Sequence, residues 1–141
     1  GRDNFGEATS IVAMIAEIEI SKKGRLVIKK IDCKIDCGIC INPNQVISQA
    51  EGGIMMGISM LLNEEITFEN GMVVQSNYDD YKIAKMKNTP EMNISIVKSS
   101  LPPAGIAEAV VAPVMPAITN AIFAATGKRI RKLPIGKQKL V

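Results

Sequence analysis

The sequence predicts a single α+β domain in which antiparallel strands, joined as hairpins, pack against a glycine-rich helix and a C-terminal helix. Three observations predict it. Residues 11–37 alternate apolar and polar side chains with a period of two, Asn42-Pro43 opens a long apolar stretch, and Gly127 closes another. With 141 residues, 47% of them hydrophobic, the chain can bury one core. No internal repeat or low-complexity linker divides it, so residues 1–141 read as one unit.

The elements follow in order. Residues 11–20 form a strand with Met14, Ala16, Ile18 and Ile20 on one face. Ser21-Lys22-Lys23-Gly24 is a turn of hairpin length. Residues 26–37 form a second strand, with Ile31, Cys33, Ile35 and Cys37 on one face and Lys30, Asp32, Lys34 and Asp36 on the other, so the hairpin has one wet face. Asn42 is a helix N-cap and Pro43 occupies the first helical position, where its missing N–H goes unused. That helix runs to about Leu62 and contains Gly52, Gly53 and Gly57, each unfavourable by about 1 kcal/mol relative to Ala. Gly53 and Gly57 share a face, so another backbone or a bulky ligand is expected to approach there. Residues 66–75 read as a second hairpin turning at Glu69-Asn70-Gly71, and residues 93–98 as a strand. A proline-bounded segment begins at Pro113, and residues 116–126 form an amphipathic helix that ends at Gly127.

Composition removes several classes of function. There is no histidine, which excludes histidine-based triads and most catalytic zinc sites. No apolar run reaches the roughly 18 residues that span a bilayer. The first residues, Gly1-Arg2-Asp3-Asn4-Phe5, show no signal-peptide pattern and no initiator Met, as expected at a processing boundary. Lys128, Arg129, Arg131, Lys132, Lys137 and Lys139 make residues 128–141 basic, but no aromatic residue interleaves them for stacking on bases. A solvated tail or a local docking strip is expected there, and no nucleic acid.

Cys33, Cys37 and Cys40 have the C-x3-C-x2-C spacing of a cluster-binding signature. Cys33 and Cys37, however, fall on one face of a regular strand roughly 13 Å apart, too far for ligands of one cluster. Core cysteines are the expectation. An odd number of cysteines without a secretory signal points to a reducing compartment.

The remaining candidate is Pro102-Pro103-Ala104-Gly105-Ile106-Ala107-Glu108. Two prolines stiffen the loop, and Gly105 is free to adopt a conformation closed to other residues. A carboxylate delivered on a braced backbone suits a general base; the plain alternative is a solvated surface glutamate.

Several segments together resemble the C-terminal end of the large, molybdenum-binding subunit of the xanthine oxidase/aldehyde oxidase family. They are Asp36-Cys37-Gly38 with Ile41-Asn42-Pro43, then Gln49-Ala50-Glu51-Gly52-Gly53 with Gly57, and Gln75-Ser76-Asn77-Tyr78 through Tyr81. The Pro102 to Glu108 loop follows, and then the run from Pro116-Ala117 through Asn120 and Gly127 to Pro134. The resemblance spans residues 6–135. It implies hydroxylation of a carbon in an N-heterocycle, or of an aldehyde carbon, with water as the oxygen source. The implied cofactor is a molybdenum-pterin, as the molybdopterin cytosine dinucleotide, and the implied electron outlet is an iron-sulfur small subunit. Glu108 matches the family's general base, and Gln49 matches a glutamine against the cofactor. Gly52, Gly53 and Gly105 match cofactor-binding positions. Ala107 stands where the family usually has glycine, so it would be strained if that position required a positive φ. The family's subunits run to several hundred residues, so the resemblance makes this chain a fragment, without bound cofactor and inactive on its own. The rest of its own large subunit would then be a partner. The competing expectation is a noncatalytic scaffold or binding module that keeps the fold without metal.

Overall fold

The computed structural model describes residues 2–5, 8–136 and 138–141. Gly6, where the resemblance begins, and Lys137 of the basic tail lie outside the described residues. Strands β1 (Arg2–Phe5), β2 (Ala8–Ile20) and β3 (Leu26–Asp36) form an antiparallel meander, joined at one edge by β6 (Glu91–Ile96). The expected hairpin of β2 and β3 is present, with Gly24 at φ 78° in its turn. The sheet is not wholly antiparallel as expected: β6 pairs parallel with β3. Parallel neighbours need a crossover, and helix α1 (Pro43–Leu62) lies within this one. β1 was not foreseen, because its four residues lack a clear alternation. A separate two-stranded hairpin, β4 (Phe68–Glu69) with β5 (Met72–Val73), turns through Asn70 and Gly71, both at positive φ.

One irregularity sets the inner face. The β2–β3 register shifts between Glu17 and Ile18, so β3 carries an extra residue there. That bulge lets Ile28 and Ile31 both point inward, although strict alternation would oppose them. Beyond it Ile31, Cys33, Ile35 and Cys37 are all buried, as the alternation predicts. The outer face carries Lys30 paired with Asp32 at 3.0 Å, but it also leaves Ile11 and Ile15 exposed.

Helix α1 and helix α2 (Val111–Thr126) cover the inner face. Asn42 caps α1 by accepting from the Gln45 N–H, as expected. Ile54, Ile58 and Leu61 line one side of α1, and Val114, Ile118 and Ile122 line one side of α2; all six are fully buried. α2 begins five residues before the expected Pro116, which sits inside it, and it ends at Gly127 with φ 72°. The basic tail docks on the fold: the Ile135 and Gly136 amides donate to the Leu61 and Leu62 carbonyls, and Ile135 and Leu140 are buried.

The helix glycines separate by partner. Cβ atoms added at Gly53 would collide with Val110, and at Gly57 would lie 2.8 Å from the Val111 carbonyl, whereas Gly52 has nothing within 4 Å. Gly52→Ala is therefore expected to leave stability unchanged or raise it by up to about 1 kcal/mol. Gly57→Ala is expected to lower it by about 1–3 kcal/mol. Urea unfolding followed by circular dichroism checks both; equal midpoints for the two variants would refute the packing argument.

Candidate active site

The loop ahead of Glu108 is held from two directions. The bend after β3 supplies the first set of ties. Asp36 accepts the Gly38 N–H at 3.0 Å, and Gly38, at φ 72°, lies so close to the Pro102 carbonyl that no side chain could fit. On either side of Gly38, the Cys37 carbonyl accepts from the Ala104 N–H and the Ile39 N–H donates to the Leu101 carbonyl, each at 2.9 Å. The second tie is Ser10 of β2. Its buried hydroxyl donates to the Gly105 carbonyl at 2.7 Å. Thus the Asp36-Cys37-Gly38 motif works structurally, folding the chain so that β3 grips the 101–104 backbone.

Glu108 follows in a turn over residues 107–110, and its carbonyl accepts the Val111 N–H at 3.0 Å as α2 begins. Its side chain is exposed. Two expectations about this loop change. Gly105 does not take a left-handed φ: the described glycines that do are Gly24, Gly38, Gly71, Gly127 and Gly136. Ala107 is not strained either, because Asn70 is the one non-glycine at positive φ among the described residues.

Helix α1 passes under the same turn. The Ala107 carbonyl lies 3.4 Å from where a Gly53 Cβ would stand, and Val110 fills the rest of that space. Gln49 is exposed one helical turn before Gly53, on the same side of α1. The turn that carries Glu108 therefore packs on α1 at Gly53, one helical turn beyond Gln49. Gly53 is filled from within this chain, while Gly52 keeps an open face in a cavity with Ser48, Glu51, Met55, Met86 and Met92. Beside it, Asn44, Gln45, Ser48 and Gln49 line a polar groove. Asn44 and Ser48 were missed by sequence reasoning; their spacing with Gln45 and Gln49, at i, i+1, i+4 and i+5 from a capped helix start, was the signal available.

The other motifs of the sequence have structural explanations. Gln75 bonds Thr67 across the small hairpin, and Tyr81 donates to Glu64 at 2.9 Å. Asp80 accepts from the Ser76 N–H and hydroxyl and from the Asn77 N–H; the Ser76 and Asn77 backbone bonds hold its carboxyl below the usual range. Cys33 and Cys37 lie on one continuous inner face, as the strand alternation requires; among the described residues no three His, Cys, Asp or Glu side chains converge as metal ligands.

Comparison with known proteins adds the following. A family model described as "Molybdopterin cofactor-binding domain" matches residues 1–90. The chain is 32% identical over 125 residues to isoquinoline 1-oxidoreductase subunit beta of Brevundimonas diminuta, a match covering 88% of this chain and 16% of that protein. It is 34% identical over 122 residues to the membrane-bound aldehyde dehydrogenase [pyrroloquinoline-quinone] of Gluconacetobacter polyoxogenes, covering 86% and 16%. The crystal structure of quinoline 2-oxidoreductase from Pseudomonas putida 86 superposes with a TM-score of 0.83 at 24% identity, over 94% of this chain and 18% of that one, a likeness of fold. The chain thus spans about a sixth of the length of the relatives it matches.

Two outcomes follow from this geometry. Ser10→Ala removes the tie to Gly105 and is expected to lower stability by about 0.5–1.5 kcal/mol, with faster hydrogen exchange at the Ala104 amide; unchanged exchange would show that Ser10 does not brace the loop. For Asp80 the lowered folded-state pKa means its contribution is present above the unfolded value and lost as pH falls through the folded one. Amide shifts of Ser76 and Asn77 should titrate with a midpoint below that of an ordinary aspartate, and Asp80→Asn should abolish the titration.

Proposed function

The chain belongs to the xanthine oxidase/aldehyde oxidase family of molybdopterin cofactor-binding proteins, and from that premise we propose that it is the C-terminal part of a molybdenum hydroxylase large subunit. The reaction we assign is oxidation of a carbon in an N-heterocycle or an aldehyde, with the oxygen taken from water. The observation that carries the site assignment is the crossing of the 107–110 turn over Gly53, one helical turn from Gln49.

The residues on this part of α1 suit the group. Gly52 offers an open face on which a flat ring system can lie, and the adjoining groove presents the side-chain amides of Asn44, Gln45 and Gln49 and the Ser48 hydroxyl as hydrogen-bonding partners. When bound, a molybdenum-pterin, in our reading the cytosine dinucleotide form, supplies the two-electron acceptor and activates the water. Gln49 would hold the cofactor by hydrogen bonding, and Gly52 would let it approach. Gly53 supports this wall from behind by seating the Glu108 turn, and Gly105 keeps the turn in place through Ser10.

Glu108 would accept the proton released as the water-derived oxygen attacks the substrate carbon. A base of this kind must be held within hydrogen-bond reach of its proton, and the ties at Cys37, Ile39 and Ser10 restrict the approach of its loop. In the 141-residue chain Glu108 faces solvent. The rest of the large subunit would therefore have to complete the wall and exclude water, and the isolated chain is expected to be inactive. Electrons would leave through an iron-sulfur small subunit.

In the full-length subunit with its partner, Glu108→Gln is expected to lower kcat by on the order of 10²–10⁴-fold while molybdenum content stays at the wild-type level. Steady-state kinetics and metal analysis check this together. Retained turnover would overturn the role of Glu108. A quinone in place of molybdenum would favour the cofactor named for the Gluconacetobacter relative.

A further inference from the structure

Cys37-Gly38-Ile39-Cys40 is a C-x-x-C run, and the fold places it in the bend that joins β3 to α1. The left-handed Gly38, pinned by Asp36 and by the Pro102 carbonyl, turns the chain back on itself. The turn sets Cys37 and Cys40 at the two ends of one four-residue bend, close enough for the Cys40 thiol to act electrostatically on that of Cys37. Both are free thiols; Cys37 is 3% exposed and Cys40 is half-buried. Cys33 faces the same interior but lies four strand residues away, roughly 13 Å, beyond the reach of a disulfide from Cys37.

We propose that Cys37 and Cys40 form a two-thiol redox site that is oxidised by low-molecular-weight disulfides, with Cys40 as the entry thiol and Cys37 as the resolving thiol. In the first step the Cys40 thiolate, its proton lost to solvent, attacks one sulfur of the external disulfide. That S–S bond breaks, a mixed disulfide forms on Cys40, and one small thiolate leaves and takes up a proton. In the second step Cys37 gives up its proton and attacks the Cys40 sulfur, expelling the second small thiol and closing the Cys37–Cys40 bridge. Two protein thiols are oxidised to one disulfide, and one external disulfide is reduced to two thiols.

The division of labour follows from position. Cys40 is reachable from solvent, whereas burial and then the neighbouring Cys40 push the Cys37 thiol above its ordinary range, making it a poor first nucleophile. Burial pushes the Cys33 thiol up to about 11, which keeps it a bystander. The bridge would also act at a distance. It would close over Gly38 and Ile39, and the bend's flanking groups, the Cys37 carbonyl and the Ile39 N–H, are those that grip Ala104 and Leu101. Stiffening the bend stiffens the loop it holds. This inference does not depend on the role assigned to Glu108.

The test is to incubate the chain with excess oxidised glutathione, alkylate the remaining thiols in denaturant, and read intact mass, peptide map and amide exchange. The expected product has lost two hydrogens, carries a Cys37–Cys40 link that dithiothreitol reverses, and leaves Cys33 alone to be alkylated. Cys33→Ser should form the same link, and Cys40→Ser should leave Cys37 reduced. The Ile39 and Ala104 amides should exchange about threefold more slowly, or slower still, in the bridged form. A glutathione adduct that persists on Cys40, three alkylatable thiols, or any bridge to Cys33 would overturn the site. Unchanged exchange in a correctly bridged protein would overturn its coupling to the loop.

Discussion

The backbone of the 107–110 turn and of Val111, the first residue of α2, rests on helix α1 through the missing side chains of Gly53 and Gly57, and most of the architecture depends on that contact. Glycine in a helix interior is unfavourable by about 1 kcal/mol, so two of them on one face imply a gain that outweighs the loss. Here the gain is close packing: with no Cβ on α1, the Val111 carbonyl and Val114 reach the helix surface, and α2 settles with Val114, Ile118 and Ile122 fully buried. The same contact decides where the acidic turn stands, because Glu108 cannot shift without lifting Val110 out of the space above Gly53.

A second set of constraints acts on the loop upstream. A chain containing Pro102 and Pro103 has fewer backbone donors than most; the Ala104 N–H donates to the Cys37 carbonyl, while the Leu101 and Gly105 carbonyls accept from the Ile39 N–H and the Ser10 hydroxyl. The loop is thus an extension of the sheet's edge and not a free arm. This is the arrangement a positioned proton acceptor needs, since a carboxylate on a mobile loop would spend little time in reach of its proton. The C-x-x-C bend sits at the root of the same structure, so a change in its covalent state would act on the loop through hydrogen bonds already formed.

Several large apolar side chains stand outside the core. Tyr78 and Met86 are 96% and 86% exposed, and Phe68 and Met72 stand out from the small hairpin. Large apolar side chains this exposed are available for another surface to cover. The chain spans about a sixth of the length of the relatives it matches, and Gln49 and Glu108 are both exposed.

Much was legible in the residues because it depends on neighbours within a few positions. The alternation through 31–37, the Asn42-Pro43 helix start, the Asn70-Gly71 turn and the Gly127 cap each rest on local backbone chemistry, and each is where it was expected. The candidate residues Glu108, Gln49 and Gly52 came from ordered motifs, and the strain expected at Ala107 and the special conformation expected at Gly105 did not materialise. What the sequence alone could not decide depends on partners far along the chain. The parallel pairing of β6, the bulge that turns Ile28 inward, the early start of α2 and the identity of what approaches Gly53 and Gly57 are all of this kind. Periodicity records which face of an element is apolar, but only packing selects the element that covers it, and that choice seated the 107–110 turn on α1 at Gly53.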